Sequence, residues 1–122
     1  MRRTVLLMLL ALVAAPAAAD WKRVGETPEA VYWIDPKDVK KEGDIRSVPV
    51  LYDFKLVRKD GAASRLTLDQ YDCKKQAYRS LSYILHSQPR ARGKVVGTGN
   101  LSPKWDALER GMPQFAVFQA VC

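Results

Sequence analysis

The segment VPVLYDFKL, residues 48–56, decides the fold of this chain, because apolar and aromatic side chains occupy every second position. The alternating positions are Val48, Val50, Tyr52, Phe54 and Leu56. A period of two is that of a β-strand with one buried face. Pro49 lacks the N–H group that a sheet ladder uses, so the strand is expected to begin at an edge or a bulge near this residue.

A second alternating segment, residues 64–73, follows the turn dipeptide Asp60-Gly61. Its side chains divide between two faces, with Leu66 and Leu68 on one and Thr67, Asp69, Tyr71 and Cys73 on the other. Two alternating strands joined through a glycine turn predict an antiparallel hairpin.

Shorter segments flank this hairpin. Strands are predicted at residues 21–26, 30–34 and 94–98, and short helical turns at 35–41 and 102–108, the first capped by Asp35 and the second opened by Ser102-Pro103. Residues 75–86 fit two patterns, because some apolar positions share a helical face whereas the tyrosines favour a strand. Periodicity alone leaves that choice open.

The last ten residues have a helical pattern that begins at Pro113. Phe115, Phe118, Val121 and Cys122 fall along one stripe of a short helix. Because an isolated helix of this length is marginal in water, its order has to come from packing and from a covalent link. The pattern as a whole predicts an α+β domain with a terminal helix laid on an antiparallel sheet.

The first 19 residues read as a cleavable signal peptide. Arg2 and Arg3 precede an apolar run, residues 5–13, that is shorter than the roughly 20 residues needed to span a bilayer. Small residues at 17–19 predict cleavage between Ala19 and Asp20, and an aspartate at that point rules out lipid attachment there. Residues 20–122 are then expected to form one exported domain, either periplasmic or secreted, with no membrane anchor.

Cys73 and Cys122 are the only cysteines, so an oxidising compartment allows one pairing. Their disulfide closes a loop of about 50 residues, which stabilises a fold by about 4 kcal/mol in the chain-entropy model. It also fastens the end of the helix to the second strand of the hairpin.

Composition excludes several classes of function. The net charge is +7, and loss of Arg2 and Arg3 leaves 18 basic and 13 acidic side chains, or +5. For an exported protein this charge favours anionic glycans or acidic lipid head groups over nucleic acid, although solubility alone is the more common reason for such a charge. No nucleophile with a base is in view, no phosphate loop is present, and His86 with two distant cysteines lacks zinc-ligand spacing. The sequence therefore predicts neither an enzyme nor a metal or cofactor site.

Three cations at alternate positions, Arg90, Arg92 and Lys94, mark the best candidate for a contact surface. Arginine pairs well with sulfate and carboxylate, although a solvated hairpin tip has the same composition. Lys74, Lys75 and His86 are expected beside this loop if they flank the neighbouring strand. The aromatic residues, Trp21 and Trp33 among them, could line a groove for a glycan or peptide, but such residues more often fill the core of a small sheet domain. Trp105 is the one most expected to be exposed, since it lies in a loop-like stretch.

Several short motifs, in order along nearly the whole of residues 20–122, resemble the bacterial surface-adhesin protein E family. They are Trp21, Tyr32-Trp33-Ile34-Asp35, Tyr71-Asp72-Cys73 with Lys74, Tyr78-Arg79, Trp105 and the closing Val121-Cys122. The resemblance implies a curved antiparallel sheet of about six strands with the C-terminal helix tethered by the disulfide, and it favours strand for residues 76–85. It further implies a role as an adhesin for host matrix or serum proteins such as vitronectin, laminin and plasminogen.

Two hypotheses of function follow. In the first, the domain is a non-enzymatic module that binds an extracellular protein or an anionic glycan through the basic loop. In the second, it is a periplasmic, envelope-associated structural protein whose partner is bacterial, which the absence of a lipid-attachment cysteine favours. An open edge strand, expected near Pro49, would permit a homodimer in either case.

Overall fold

The computed structural model describes residues 19–122, so the predicted signal peptide lies outside the described residues except for Ala19. The strands are β1 (Lys22–Glu26), β2 (Ala30–Ile34), β3 (Lys40–Glu42), β4 (Ile45–Phe54), β5 (Ser64–Asp72), β6 (Ala77–Gln88), β7 (Arg92–Asn100) and β8 (Asp106–Ala107), and the helix is α1 (Pro113–Val121). Every strand pairing is antiparallel.

The main path of the sheet has six strands in the order β1-β2-β4-β5-β6-β7. β3 pairs with the beginning of β4, and β8 pairs with the beginning of β6. The sheet curls into a half-barrel with one C-terminal helix, which confirms the predicted α+β architecture. Residues 77–86 of the ambiguous segment 75–86 are a strand, because β6 pairs with β5 on one side and β7 on the other, whereas residues 75 and 76 lie in the turn before it.

Pro49 is not at a sheet edge, so that expectation is wrong. Residues 45–53 of β4 pair continuously with β5. On the other side of β4, residues 45–47 pair with β3 and 50–54 with β2, so Val48 and Pro49 pair with neither. The missing N–H group of Pro49 thus falls where the ladder is already interrupted, inside the sheet. On the main path the edge strands are β1 and β7.

Both predicted helical turns are shorter or different in the structure. The first is a single 3₁₀ turn, Pro36–Asp38, in which Asp35 Oδ1 accepts a 3.0 Å hydrogen bond from the backbone N–H of Lys37, and the chain then enters β3. The second is wrong, because residues 106–107 form β8 instead of a helix. Pairing with Ala77 and Tyr78 satisfies the backbone there, which a local pattern does not reveal.

The core lies between α1 and one face of the sheet, called here the inner face. Val48, Val50 and Tyr71 are fully buried on it, and Val117 and Val121 of the helix belong to the same apolar cluster. The predicted helix stripe is therefore only partly right. Val117 is the more buried contact, whereas the predicted Phe115 and Phe118 are half-buried and Cys122 is exposed.

The disulfide joins Cys73 to Cys122 as predicted, with a Cα–Cα distance of 5.6 Å. Cys73 directly follows β5, and Cys122 directly follows α1. The bond therefore holds the end of the helix to the end of β5, an interior strand of the sheet. Because α1 buries few side chains, this link is a main source of its order.

Candidate binding sites on the two faces of the sheet

The loop between β6 and β7 folds back across the outer face of the sheet, the face opposite α1. The backbone N–H of Arg90 donates to Asp53 Oδ1 at 2.7 Å, and the Arg90 guanidinium carbon lies 5.0 Å from the centroid of the Trp33 ring. Ser64 Oγ donates to the carbonyl oxygen of Gln88 at 2.6 Å and accepts from the N–H of Ala91 at 3.1 Å. These contacts fix the loop, including the left-handed conformation of Arg90 (φ 61°) and Ala91 (φ 55°).

This arrangement creates a basic and aromatic surface that we call the outer patch. Its members are Trp21, Lys22, Trp33, Arg90 and Arg92, which with Ala19 and Asp20 border a depression of about 520 Å³. They come from the segment just before β1, from β1 and β2, and from the β6–β7 loop with the first residue of β7. Residues far apart in sequence thus meet because the loop folds over the sheet.

The two carboxylates at the outer patch have partners, whereas two of its cations do not. Asp20 forms a 2.7 Å ion pair with Lys37, and that hydrogen bond and charge lower the pKa of the Asp20 carboxyl. Asp53 is occupied by Arg90. Lys22 and Arg92 are exposed and form no ion pair or side-chain hydrogen bond with any residue in the described range 19–122. Both cations are therefore available to an external anion.

The structure brings only part of the predicted surface together. Arg90 and Arg92 lie in the outer patch, whereas Lys94 is exposed on β7 and does not border the depression. His86 pairs with Val95, near the same end of the β6–β7 hairpin.

Lys74 and Lys75 do not lie beside the loop, and that expectation is wrong. They occupy the turn between β5 and β6, at the opposite end of β6. β6 has 12 residues and is about 35 Å long at the usual rise of a strand, so the two lysines are far from the outer patch.

Trp105 also lies at that far end, next to β8. The Arg79 guanidinium carbon is 4.4 Å from the centroid of its ring, and Arg79 is itself held by hydrogen bonds to Gln70 Oε1 (2.8 Å) and to the Pro103 carbonyl oxygen (3.1 Å). Trp105 is half-buried rather than freely exposed. Asp72 and Asp106 lie at the same end, so its charge is mixed.

The sequence analysis did not single out Lys22, and for Trp21 and Trp33 it favoured the core over a groove. The alternation of side chains along β2 could have predicted that Trp33 lies on the outer face. Ala30, Tyr32 and Ile34 are buried on the inner face, which places Trp33 on the outer face. Its indole Nε1–H is buried without an acceptor among the described residues.

A second concavity, here called the inner pocket, lies on the inner face beside the helix. Its volume is about 300 Å³, and its polar lining includes Arg58, Arg65, Thr67, Ser80, Tyr83 and Gln114. These side chains come from the strands β5 and β6, the β4–β5 loop and α1.

Asp69 lies beneath the inner pocket and holds one of its lining residues, Ser80, by a hydrogen bond. It is fully buried and accepts hydrogen bonds from Ser80 Oγ at 2.6 Å and Tyr71 Oη at 3.0 Å. Burial raises the pKa of the Asp69 carboxyl, and the hydrogen bonds from Ser80 and its other neighbours oppose that rise only in part. Burial likewise raises the pKa of the Tyr71 hydroxyl.

The chain as a whole compares clearly with one family. The family model described as surface-adhesin protein E matches residues 21–122. The chain belongs to the surface-adhesin protein E family. The sequence resemblance on the tryptophan, cysteine and tyrosine motifs is thereby confirmed.

Solved structures with the same fold are those of protein E from Haemophilus influenzae. One matches with a TM-score of 0.62 and 12% identity over 88% of this chain and 86% of that chain. A second crystal form matches with a TM-score of 0.66 and 11% identity over 88% and 89%. Protein E from the non-typeable organism matches with a TM-score of 0.57 and 11% identity over 88% and 76%. At these identities the likeness establishes the fold.

Two further comparisons concern curated proteins and membrane-spanning helices. No curated protein matches the chain. Among residues 19–122, there is no helix that combines the length and the apolar character needed to cross a bilayer.

Proposed function

We propose that this protein is an exported, non-enzymatic binding domain of the adhesin type, which attaches to anionic glycans through the outer patch. Membership of the surface-adhesin protein E family supports a binding role, and the disulfide is consistent with an oxidising compartment reached after cleavage between Ala19 and Asp20. The proposal includes glycan chains carried by host matrix and serum glycoproteins.

One observation carries the choice of ligand and site. Lys22 and Arg92 are exposed cations without a partner in residues 19–122, and they border the same depression as Trp21 and Trp33. A guanidinium group pairs in a bidentate manner with sulfate or carboxylate. Tryptophan rings supply large, rigid surfaces on which the apolar faces of sugar rings pack, and at Trp33 one face of the ring is already covered by Arg90. A sulfated or carboxylated sugar chain satisfies both features.

The outer patch is also held ready before any ligand arrives. Asp53 fixes the backbone of Arg90, and the ring of Trp33 fixes its side chain. Arg92, two residues further on, therefore projects from a rigid part of the chain. A fixed loop loses little conformational freedom on binding, which raises affinity. The far end of β6, with Lys74, Lys75 and Trp105, has aspartates among its cations and is a weaker candidate.

The experiment compares binding of oxidised residues 20–122 to immobilised heparin at physiological salt for three proteins. They are the wild type, the double variant Lys22→Glu/Arg92→Glu, and a control of equal charge change, Lys40→Glu/Lys41→Glu, on the exposed strand β3. We expect the patch variant to lose about tenfold or more in affinity, equivalent to about 1.4 kcal/mol, and the control to change far less.

Two results would contradict the proposal. Equal losses in the patch and control variants would show that only net charge matters. An absence of saturable binding by the wild type would reject the glycan ligand and favour an envelope-associated protein with a bacterial partner.

A further inference from the structure

We infer that the inner pocket is a second binding site, separate from the outer patch, and that it takes a small molecule with one carboxylate attached to an apolar group. The two sites lie on opposite faces of the sheet and share no residue. The inference therefore does not rest on the proposed attachment to glycans.

Arg65 supplies the main reason for an anionic ligand. Its guanidinium carbon lies 4.7 Å from the centroid of the Tyr52 ring, which holds the planar group in one orientation. Among the described residues Arg65 has neither a hydrogen-bond acceptor nor an ion-pair partner, and its Nε is buried. A buried guanidinium N–H without an acceptor, such as that at Nε of Arg65, is costly unless an acceptor reaches the group.

The carboxylates near Arg65 are already engaged. Asp69 accepts from Ser80 and Tyr71, as described above. At the pocket rim Asp60 forms a 3.1 Å ion pair with Arg58 and also accepts from the backbone N–H of Ala62 at 3.0 Å. The charged groups that line the pocket are Arg58, Arg65 and Asp60, so the lining carries one excess positive charge. Asp69 is buried beneath it, and the charge of Arg65 acts to lower the pKa of that carboxyl, but no hydrogen bond joins the two. A ligand with a single carboxylate matches that excess.

The remaining lining defines the rest of the ligand. Leu85, Leu101 and the ring of Tyr83 give the pocket an apolar wall. Thr67, on the same strand as Arg65, and Ser80 of β6 add hydroxyl groups to the lining, and these donate to the Val50 carbonyl oxygen and to Asp69. A volume of about 300 Å³ is at the lower end of the range for small-molecule sites. An aromatic carboxylate fits this combination, with the carboxylate on Arg65 and the ring against the leucines.

Benzoate is a suitable probe, and benzamide is its neutral counterpart of the same shape. The experiment is a titration of isotope-labelled, oxidised residues 20–122, followed through the backbone amide signals. We expect saturable shifts with benzoate at Thr67, Ser80 and Gln114, with a dissociation constant of about 1 mM for so small a ligand. Benzamide is expected to bind at least about tenfold more weakly.

Variants assign the effect to Arg65. Arg65→Gln is expected to weaken benzoate binding about tenfold or more, and Arg65→Lys to give an intermediate loss, because lysine keeps the charge but not the planar fork. Arg110→Gln, at an exposed arginine outside the pocket, is expected to change nothing. Should Arg65→Gln fail to fold, Arg65→Lys carries the comparison.

The inference is overturned by any of three results. These are no saturation with millimolar benzoate, equal affinity for benzamide, or shifts that map to the outer patch. Loss of heparin binding would not affect it, so the two proposals fail separately.

Discussion

Arg90 and Trp33 belong to parts of the chain that are not adjacent in the sheet, yet the Arg90 guanidinium carbon lies 5.0 Å from the centroid of the Trp33 ring. Trp33 is on β2, and Arg90 follows the end of β6 by two residues. In the sheet, β4 and β5 lie between β2 and β6. The contact exists because the β6–β7 loop crosses the outer face, where Asp53 of β4 anchors its backbone. A loop that looks like a solvated hairpin tip in sequence is therefore a fixed part of the outer surface.

Removal of the anchor should free the loop. In Asp53→Ala the backbone N–H of Arg90 loses its acceptor at 2.7 Å, and we expect a loss of about 1–2 kcal/mol in the free energy of unfolding. We also expect much faster hydrogen exchange at the Arg90 amide. Asp38→Ala, at an exposed aspartate of the 3₁₀ turn, is the control. Unchanged exchange in Asp53→Ala would show that the loop is held by other contacts.

The disulfide should account for a large part of the stability. Replacement of both Cys73 and Cys122 by serine opens a loop whose ends are 49 residues apart, and we expect a loss of about 4 kcal/mol in the free energy of unfolding. Urea denaturation of the oxidised wild type and the double variant measures it. A loss below about 1 kcal/mol would mean that packing of α1 alone holds the C-terminus.

Asp69 should make stability depend on pH in a direction opposite to that of ordinary surface carboxylates. Burial raises the pKa of Asp69 in the folded protein above its ordinary value of 3.8. Its contribution to stability is therefore fully present below about pH 4 and is lost as the pH rises through the folded pKa. Asparagine does not titrate, so the stability of Asp69→Asn does not fall with pH for this reason.

The measurement is urea unfolding of the wild type and Asp69→Asn at several pH values. We expect the stability of the wild type relative to the variant to fall as the pH rises from about 3 toward neutrality. Exposed carboxylates such as Asp20 and Glu26 contribute equally to both proteins and cancel in the difference. A difference that stays constant or grows with pH would contradict a raised pKa at Asp69.

The proposed cleavage before Asp20 should create an ion pair. The backbone nitrogen of Asp20 lies 3.0 Å from Oδ2 of the buried Asp35, and in a chain that begins at Asp20 this nitrogen is a charged amino group. We expect such a chain to be more stable than one that retains Ala19, by about 1 kcal/mol.

The control for that comparison is the same pair of chains carrying Asp35→Asn, which retains an oxygen to cap the 3₁₀ turn. The stability difference between the two starting points is expected to disappear in this background, because the amide carries no charge. Thermal unfolding of the four proteins measures the coupling energy between the amino group of Asp20 and the carboxylate of Asp35. A difference that persists in the Asp35→Asn background would assign the effect to Ala19 itself.

The sequence predicted those parts of the fold whose signals are local. The alternation of residues 48–56 and 64–73 is strong because each strand has one buried face, and two cysteines permit one bridge. Residues 75–86 were ambiguous because their strand state depends on pairing with β5 and β7, which is not encoded in their own spacing. β8 has two residues, too few for any period.

In the candidate sites, too, the residues that were predicted are those with a local signal. Arg90 and Arg92 were found because they are close together in sequence, whereas Trp21 and Lys22 join them only through the fold. The alternation predicted which residues of β5 share a face, but not which face is buried. Thr67 and Asp69 are buried on the inner face, whereas Leu68 is 40% exposed on the outer face. Burial of Asp69 depends on hydroxyl groups from Ser80 and Tyr71, and a single strand does not predict such partners.

The three tryptophans allow the most direct test of the central claim, that anionic glycans bind at the outer patch. Trp21 and Trp33 border the patch, and Trp105 lies at the other end of β6. The measurement is a titration of labelled residues 20–122 with a heparin-derived hexasaccharide, followed through the three indole N–H signals. The expected result is saturable shifts of the Trp21 and Trp33 signals with that of Trp105 unchanged. A shift of Trp105 alone would place the glycan at the far end of the sheet and contradict the claim.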